Sequence, residues 1–375
     1  MEIIFTIGIF TSLFFFILLL NKKNKSLPDR ILAFWMLVIG IHLGSTYINS
    51  LGYWEIYPHL IGITVPFPFF YGIMLYLYVS YSIQGNQKLK KQDYLHFLPI
   101  ILSYLYMFRF YFFYTVEQKK MVDKGLIDDF GIFSNILVVL MLVSGISYSL
   151  YSYRLLNTYK NLIEDNFSNT ERINLDWLKG FIWGVVLIVL TGIIVLLSRA
   201  LMEISYPFNP DYIFYSMIVF AILCLGYFGI RHENIFTDQV VVETLKQSKE
   251  SNKNSGLMEE LATDKHMTLL QLMDEKKPYL EQNLTLNSLA NHIEITPHQL
   301  SRIINQFEGQ NFNDFVNKYR VEEFIQRVSE DPHFSFLALA LDSGFNSKST
   351  FNSVFRKHKG LTPSQYISSH FMKAS

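Results

Sequence analysis

The chain has 375 residues with 32 acidic and 32 basic side chains, so its formal net charge is zero and global charge singles out no partner. Half the residues are hydrophobic and 17% are charged, with 33 Phe and 23 Tyr. A soluble protein normally carries about 25% charge, and the deficit falls before residue 230, which points to a membrane domain. The single cysteine, Cys224, excludes an intrachain disulfide. The chain has no Gly-rich phosphate loop, no HExxH and no paired metal ligands, so it is read as a non-enzyme without a cofactor or metal.

Seven apolar runs come first, each of roughly bilayer-spanning length: Ile3–Leu20, Ile31–Leu51, Leu60–Ser82, Phe97–Tyr114, Phe133–Tyr151, Gly180–Ser198 and Tyr212–Ile230. The first lacks the basic n-region and small-residue cleavage site of a signal peptide. Lys22, Lys23 and Lys25 follow it as a stop. Lys22, Lys23, Lys25 and Arg30, then Lys88, Lys90 and Lys91, then Arg154, Lys160, Arg172 and Lys179 occupy alternate loops. The other loops hold Lys119, Lys120, Lys124 and Arg199. Eleven cations against four predict an N-terminus outside and a cytoplasmic segment after Ile230, in the cytoplasmic (inner) membrane. Trp54, Tyr57, Tyr81, Tyr94, Tyr114, Tyr153 and Trp177 sit near the proposed boundaries, as an aromatic belt would.

Few residues inside these runs suggest chemistry. His42, in the second, reads as an interhelical hydrogen bond or as the one candidate contact for a ligand or proton. Arg109 lies near the outer end of the fourth and is expected to snorkel. Pro66, Pro68 and Pro99 are expected to kink or delay their helices. Cys224 reads as a packing residue. Glu55 and His59 have helical spacing but are separated by Pro58, and read as surface residues.

From Arg231 to His266 the composition changes. Thr237 can cap a short helix to Lys246, and residues 247–256, rich in Ser, Asn and Lys, read as a flexible tether. Leu257–Leu272 is expected to form a helix leading into a further helix at Met267–Gln282, broken at Pro278.

Two similar stretches then lie about fifty residues apart, at 289–305 and 339–356. In each, a short apolar helix, a tight turn and a capped helix with a polar face outline a helix-turn-helix. In the second, Leu337, Leu339, Ala340 and Leu341 make the short helix, Gly344 is the left-handed cap and Phe345 a plug. Asn346 or Ser347 caps the next helix, with Phe351, Val354 and Phe355 on its inner face. In the first, Thr296 caps, Pro297 takes the first helical position, and Leu300, Ile304 and Phe307 form the inner stripe.

Leu289-Ala290, Leu300-Ser301-Arg302, Tyr319-Arg320, Leu339-Ala340, Gly344-Phe345, Ser349-Thr350-Phe351, Phe355-Arg356-Lys357 and Gly360-Leu361-Thr362-Pro363 together resemble the AraC/XylS family of transcription regulators, over roughly Met267 to Ser369. The resemblance implies seven helices, with the two helix-turn-helix units joined by a long helix at about Asn311–Ser329 that sets both reading helices in successive major grooves. Ser353 and Ile367 stand where the family often has Arg. The fold class expected is all-α: a seven-helix transmembrane bundle at 1–230, a linker at 231–266, and a soluble seven-helix DNA-binding domain with two helix-turn-helix units at 267–375.

From Met267 onward there are eleven Lys plus Arg and eleven Asp plus Glu, so steering by the whole field is weak. Locally, Asn346–Gly360 carries Lys348, Arg356, Lys357 and Lys359 and no acid. Glu322, Glu323, Glu330 and Asp331 are expected away from the reading faces. Arg302 and Lys348 can donate to guanine, and Asn352 or Gln299 can pair with adenine. His298 lies one turn before Arg302. Arg356, Lys357 and Lys359 suit phosphates, and Asn305 a phosphate or solvent. His358 reads as surface. Ser301, Ser347, Ser349 and Ser353 complete the expected DNA face. The function expected is a membrane-anchored one-component transcription regulator whose partners are double-stranded DNA, the bilayer, an unidentified signal ligand and a second copy of itself. The alternative is a multi-span receptor or transporter whose tail binds protein.

Overall fold

A computed structural model of the protein describes residues 2–84, 88–171, 173, 175–202, 211–231, 259–331 and 333–370. Among these are seventeen α-helices and no strand; one isolated bridge pairs Phe167 with Thr285. The chain forms two compact units, Met1–Asn157 with Leu175–Thr237, and Thr158–Asn174 with Asp238–Ser375. The expected cap at Thr237, the tether at 247–256 and Arg172 lie outside the described residues.

The first unit begins with α1 (Glu2–Asn21) and α2 (Leu27–Ser50). A capping box turns the chain between them: Ser26 Oγ accepts from the Asp29 amide at 3.3 Å, and Asp29 accepts from the Ser26 amide at 2.8 Å. Lys22 Nζ holds the same carboxylate at 3.0 Å. Small residues bring helices close. A Cβ on Gly8 would lie 2.6 Å from Val219 of α10 (Asp211–Arg231) and 2.8 Å from Leu43 of α2.

Between α2 and α10 come α3 (Tyr53–Ile56), α4 (Pro68–Gln84), α5 (Leu98–Tyr106), α6 (Phe108–Phe113), α7 (Val116–Asp123), α8 (Gly131–Glu164) and α9 (Asp176–Met202). Five helical stretches are long and apolar enough to cross a membrane: Glu2–Asn21, Leu27–Ser50, Lys91–Phe113, Gly131–Glu164 and Asp176–Val195. Pro68–Ile83 is apolar but shorter, and Tyr212–Tyr227 is the apolar part of α10, itself 21 residues long. All seven expected runs are therefore helical, but the third falls short of full spanning length. The third starts late because turns occupy 61–67 and α4 begins only at Pro68. In the fourth, Pro99 enters the first turn of α5, and the helix breaks again at Met107. Large apolar side chains point outward along α1 (Ile3, Phe10, Phe14, Ile17) and α8 (Ile132, Ile136, Val139, Val143).

His42 is buried, with Nδ1 2.6 Å from the Tyr71 hydroxyl of α4 and the rings of Phe67 and Tyr215 around it. The His42–Tyr71 contact is an interhelical hydrogen bond between α2 and α4. Arg109 lies over the Tyr114 ring at 5.7 Å, and Cys224 is half-buried. Glu55 pairs at the surface with Lys124 at 2.7 Å, so the α2–α4 and α6–α8 connections share one side of this unit.

The second unit contains α11 (Glu259–Lys276), α12 (Leu286–His292), α13 (Pro297–Ile303), α14 (Phe312–Glu330), α15 (Phe336–Asp342), α16 (Lys348–Lys359) and α17 (Pro363–His370). Helix α11 joins the two expected helices into one and ends at Lys276, with Lys277 left-handed (φ 47) before a 3-10 turn that opens on Pro278.

Two apolar cores share α14. Its first half puts Phe312, Phe315 and Val316 against Leu269, Met273, Leu289, Leu300 and Ile304. Its second half puts Val321, Phe324 and Val328 against Leu339, Phe345, Phe351, Phe355 and Ile367. One buried stripe at helical spacing thus fixes both helix-turn-helix units to a single rod.

One expected core position is corrected. Phe307 is exposed and stacks on His266 at 4.7 Å, while Ile303 is buried in its stead. A π-turn over Ile304–Glu308 rotates the register after α13. Leu337 and Leu341 are exposed, because α15 has only two turns and buries Leu339 and Ala340.

Candidate nucleic-acid interface

The first expected reading helix, α13, starts as its sequence dictates. Thr296 Oγ1 accepts from the Gln299 amide at 3.3 Å, and Gln299 Oε1 accepts from the Thr296 amide at 2.9 Å. With Leu300, Ile303 and Ile304 buried, Arg302 and Asn305 are exposed and His298, Gln299 and Ser301 half-exposed. Asn305 Nδ2 donates to Ser301 Oγ at 3.4 Å. His298 Nδ1 is buried and has no hydrogen-bond partner among the described residues. Gln299 is only partly free to read adenine, because a bidentate pair needs the carbonyl oxygen that the capping box uses.

The second expected reading helix is α16. Ser347, not Asn346, caps it, accepting from the Thr350 amide at 3.2 Å. Phe351 and Phe355 are buried and Val354 is half-buried, leaving Lys348, Ser349, Asn352, Ser353 and Arg356 exposed. The turn before it depends on Gly344, at φ +92, where a Cβ would sit 2.3 Å from the Tyr279 carbonyl oxygen. An open groove is lined by Lys348, Asn352, Ser353, Arg356 and Lys357, and by Thr362, Pro363 and Ser364 at the start of α17. Thr362 and Ser364 were not among the expected contacts. Their signal was the Gly360-Leu361-Thr362-Pro363 run, which was read for its fold alone.

The electrostatics differ from the expectation in one respect. Lys357 Nζ lies 2.5 Å from Asp314 and Lys359 Nζ 2.6 Å from Glu322, both acids on α14. Glu322 is therefore not remote from the second reading helix. Such exposed pairs are worth at most about 1 kcal/mol, so a phosphate can compete for either lysine. His358 is half-buried, and burial lowers its pKa, favouring the neutral ring.

Sequence reasoning missed two buried ionic groups and one acid. Arg320 is buried and donates to the carbonyls of Tyr279 and Glu281 at 2.8 Å each. Burial lowers its pKa to about 10, which leaves it charged at neutral pH. Glu323 is buried beneath Lys277, Tyr279 and Arg327, at 2.8, 3.1 and 2.8 Å. Burial would raise its carboxyl, but hydrogen bonds from the two cations prevail and hold it below the usual range. The acid is Glu171, from the α8–α9 connection, whose carboxylate accepts from the hydroxyls of Ser347, Ser349 and Thr350 at 2.6, 2.8 and 2.8 Å.

This arrangement agrees with the comparisons to known proteins. A family model described as "Helix-turn-helix domain" matches residues 289–369. The Proteus vulgaris protein named "Probable transcription factor PqrA" is 31% identical over 85 residues, covering 23% of this chain and 69% of that protein. The regulatory protein PocR of Salmonella typhimurium is 28% identical over 88 residues, 24% of this chain and 29% of its own length. The transcriptional regulatory protein HptR of Staphylococcus aureus is 26% identical over 96 residues, 26% of this chain and 37% of its own length. The chain thus spans about a third of the last two relatives. A solved structure of a Listeria innocua protein of unknown function is 25% identical, covering 28% of this chain and 95% of that one, with a TM-score of 0.25. Through this C-terminal domain, the chain belongs to the AraC/XylS family of helix-turn-helix transcription regulators.

Proposed function

We propose that this protein is a membrane-anchored one-component regulator in which a signal at the apolar unit controls DNA reading by the C-terminal unit. The observation that carries the DNA reading is the pair of capped helices, α13 and α16, whose polar faces stay exposed while a shared helix buries their apolar faces. In this reading Arg302, Lys348 and Asn352 address base edges, assisted by His298, Gln299, Ser301 and Ser353. Arg356, Lys357, Asn305, Ser347 and Ser349 address the backbone. Anchoring is supported by five helices of spanning length with outward apolar side chains. Soluble domains rarely expose such continuous apolar surface. A ligand that acts must bind one state of the bundle better than another, and His42 is the candidate contact. Pairing of two copies would raise effective concentration at paired sites.

The test is duplex binding by the full chain in lipid nanodiscs, using DNA from its own promoter region. Arg302→Ala and Lys348→Ala are expected to lower discrimination between bases by about 1–3 kcal/mol per lost contact, and Lys357→Ala to weaken all sequences alike. An unchanged base preference in Lys348→Ala would mean that α16 is not a reading helix.

A further inference from the structure

The α8–α9 connection belongs to the same compact unit as the DNA-binding helices, and its contacts there are specific. Phe167 bridges Thr285 in antiparallel fashion: the Ser168 amide donates to the Leu284 carbonyl at 3.2 Å, and the Leu286 amide to the Asn166 carbonyl at 2.9 Å. Asn166, Phe167 and Ser168 are buried. Asn313 of α14 donates to the carbonyls of Phe167 and Ser168 at 3.0 and 2.9 Å, and Arg320 reaches the Ser168 hydroxyl at 3.1 Å. Three residues on, the Glu171 carboxylate rests on the first turn of α16.

We propose that residues 165–171 form an autoinhibitory latch, and that the Glu171 carboxylate occupies the seat of a DNA backbone phosphate at the start of the second reading helix. This rests on the DNA reading above. A carboxylate and a phosphate are both anions that accept hydrogen bonds from hydroxyls at a helix N-terminus. In a helix-turn-helix the N-terminal residues of the reading helix approach the DNA. Ser347, Ser349 and Thr350 cannot serve both anions at once, and the loop stands between them and a duplex. The rest of the face, lined by Lys348, Asn352, Ser353 and Arg356, remains an open groove, so DNA can engage there before the latch yields.

The latch is covalently continuous with α8 and α9, two of the helices long enough to cross a membrane. Any rearrangement of that hairpin pulls directly on Glu171. Linkage makes the coupling reciprocal: what releases the latch strengthens DNA binding, and DNA favours the released form.

The test is duplex affinity of the full chain in nanodiscs for wild type, Glu171→Ala, Glu171→Gln and a charge control, Glu330→Gln. Glu171→Ala is expected to bind on the order of tenfold tighter. Glu171→Gln should gain less, because it keeps one accepting oxygen, and the control should change little. In a Ser347→Ala/Ser349→Ala background the gain from Glu171→Ala should shrink to that of the control. If wild type binds DNA and Glu171→Ala binds no tighter than the control, the latch is wrong while the DNA reading stands. If neither binds any duplex even at low salt, the DNA reading is wrong and the latch goes with it.

Discussion

At the level of single residues, the buried ionic groups of the DNA-binding unit set its acid stability. Glu323 is held below the ordinary carboxylate value by Lys277 and Arg327 against the opposing effect of burial. A group with a depressed folded pKa contributes stability above its unfolded pKa and loses it as pH falls through the folded one. The acid limb of thermal unfolding should therefore steepen from about pH 4.5 downward, and Glu323→Gln should flatten it while lowering the neutral-pH melting temperature. An unchanged limb would assign the acid sensitivity elsewhere. Gly344 makes a sharper case. Its φ of +92 and the 2.3 Å approach to the Tyr279 carbonyl both reject a side chain. Gly344→Ala should cost about 1–3 kcal/mol, read as a loss of melting temperature without a change in base preference of the folded fraction. Gly344 and Phe345 were legible in the sequence, since glycine before a plug residue is the mark of a turn. Arg320 and Glu323 were not legible in this role, because their partners lie about forty residues away, at Lys277, Tyr279 and Glu281.

At the level of elements, α14 does more than space the two reading helices. Its buried stripe was legible as a long helix, and its bounds agree with expectation within a residue. Its exposed side also carries Asp314 and Glu322, which hold Lys357 and Lys359 of α16. These pairs depend on how α14 and α16 cross, which no local pattern encodes. If Lys357 has to leave Asp314 to meet a phosphate, Asp314→Asn should raise affinity for all duplexes alike. The gain should be a few-fold, with a log–log salt slope steeper by up to about 0.9. A gain confined to one sequence would instead place Lys357 at a base edge. Phe307 shows the same limit from the packing side. Helical spacing put it inside, and the π-turn over Ile304–Glu308 turned it onto His266.

At the level of the whole molecule, we propose from the apolar runs and the cation count of alternate loops a chain that crosses the bilayer repeatedly, with its C-terminal unit in the cytoplasm. The membrane reading leads to a fractionation result. The protein should stay with lipid through an alkaline carbonate wash, which strips peripheral proteins. In a Cys224→Ser background, Lys23→Cys should resist an impermeant maleimide added from outside, and Glu117→Cys should react. The reverse pattern would invert the orientation.

The sequence by itself determined what depends on local spacing. The two capped helices, the rod between them, the turn glycine and the apolar runs all follow from side-chain periodicity and cap chemistry within a few residues. Only the tertiary structure decided which polar groups meet: Glu171 on the hydroxyls of α16, Asp314 on Lys357, and Arg320 beneath the turn at Tyr279. The physical reason is range. Caps and helical stripes are set by neighbours one or two turns away. A hydrogen bond between residues 171 and 347 exists only after the chain has been folded around every helix that lies between them.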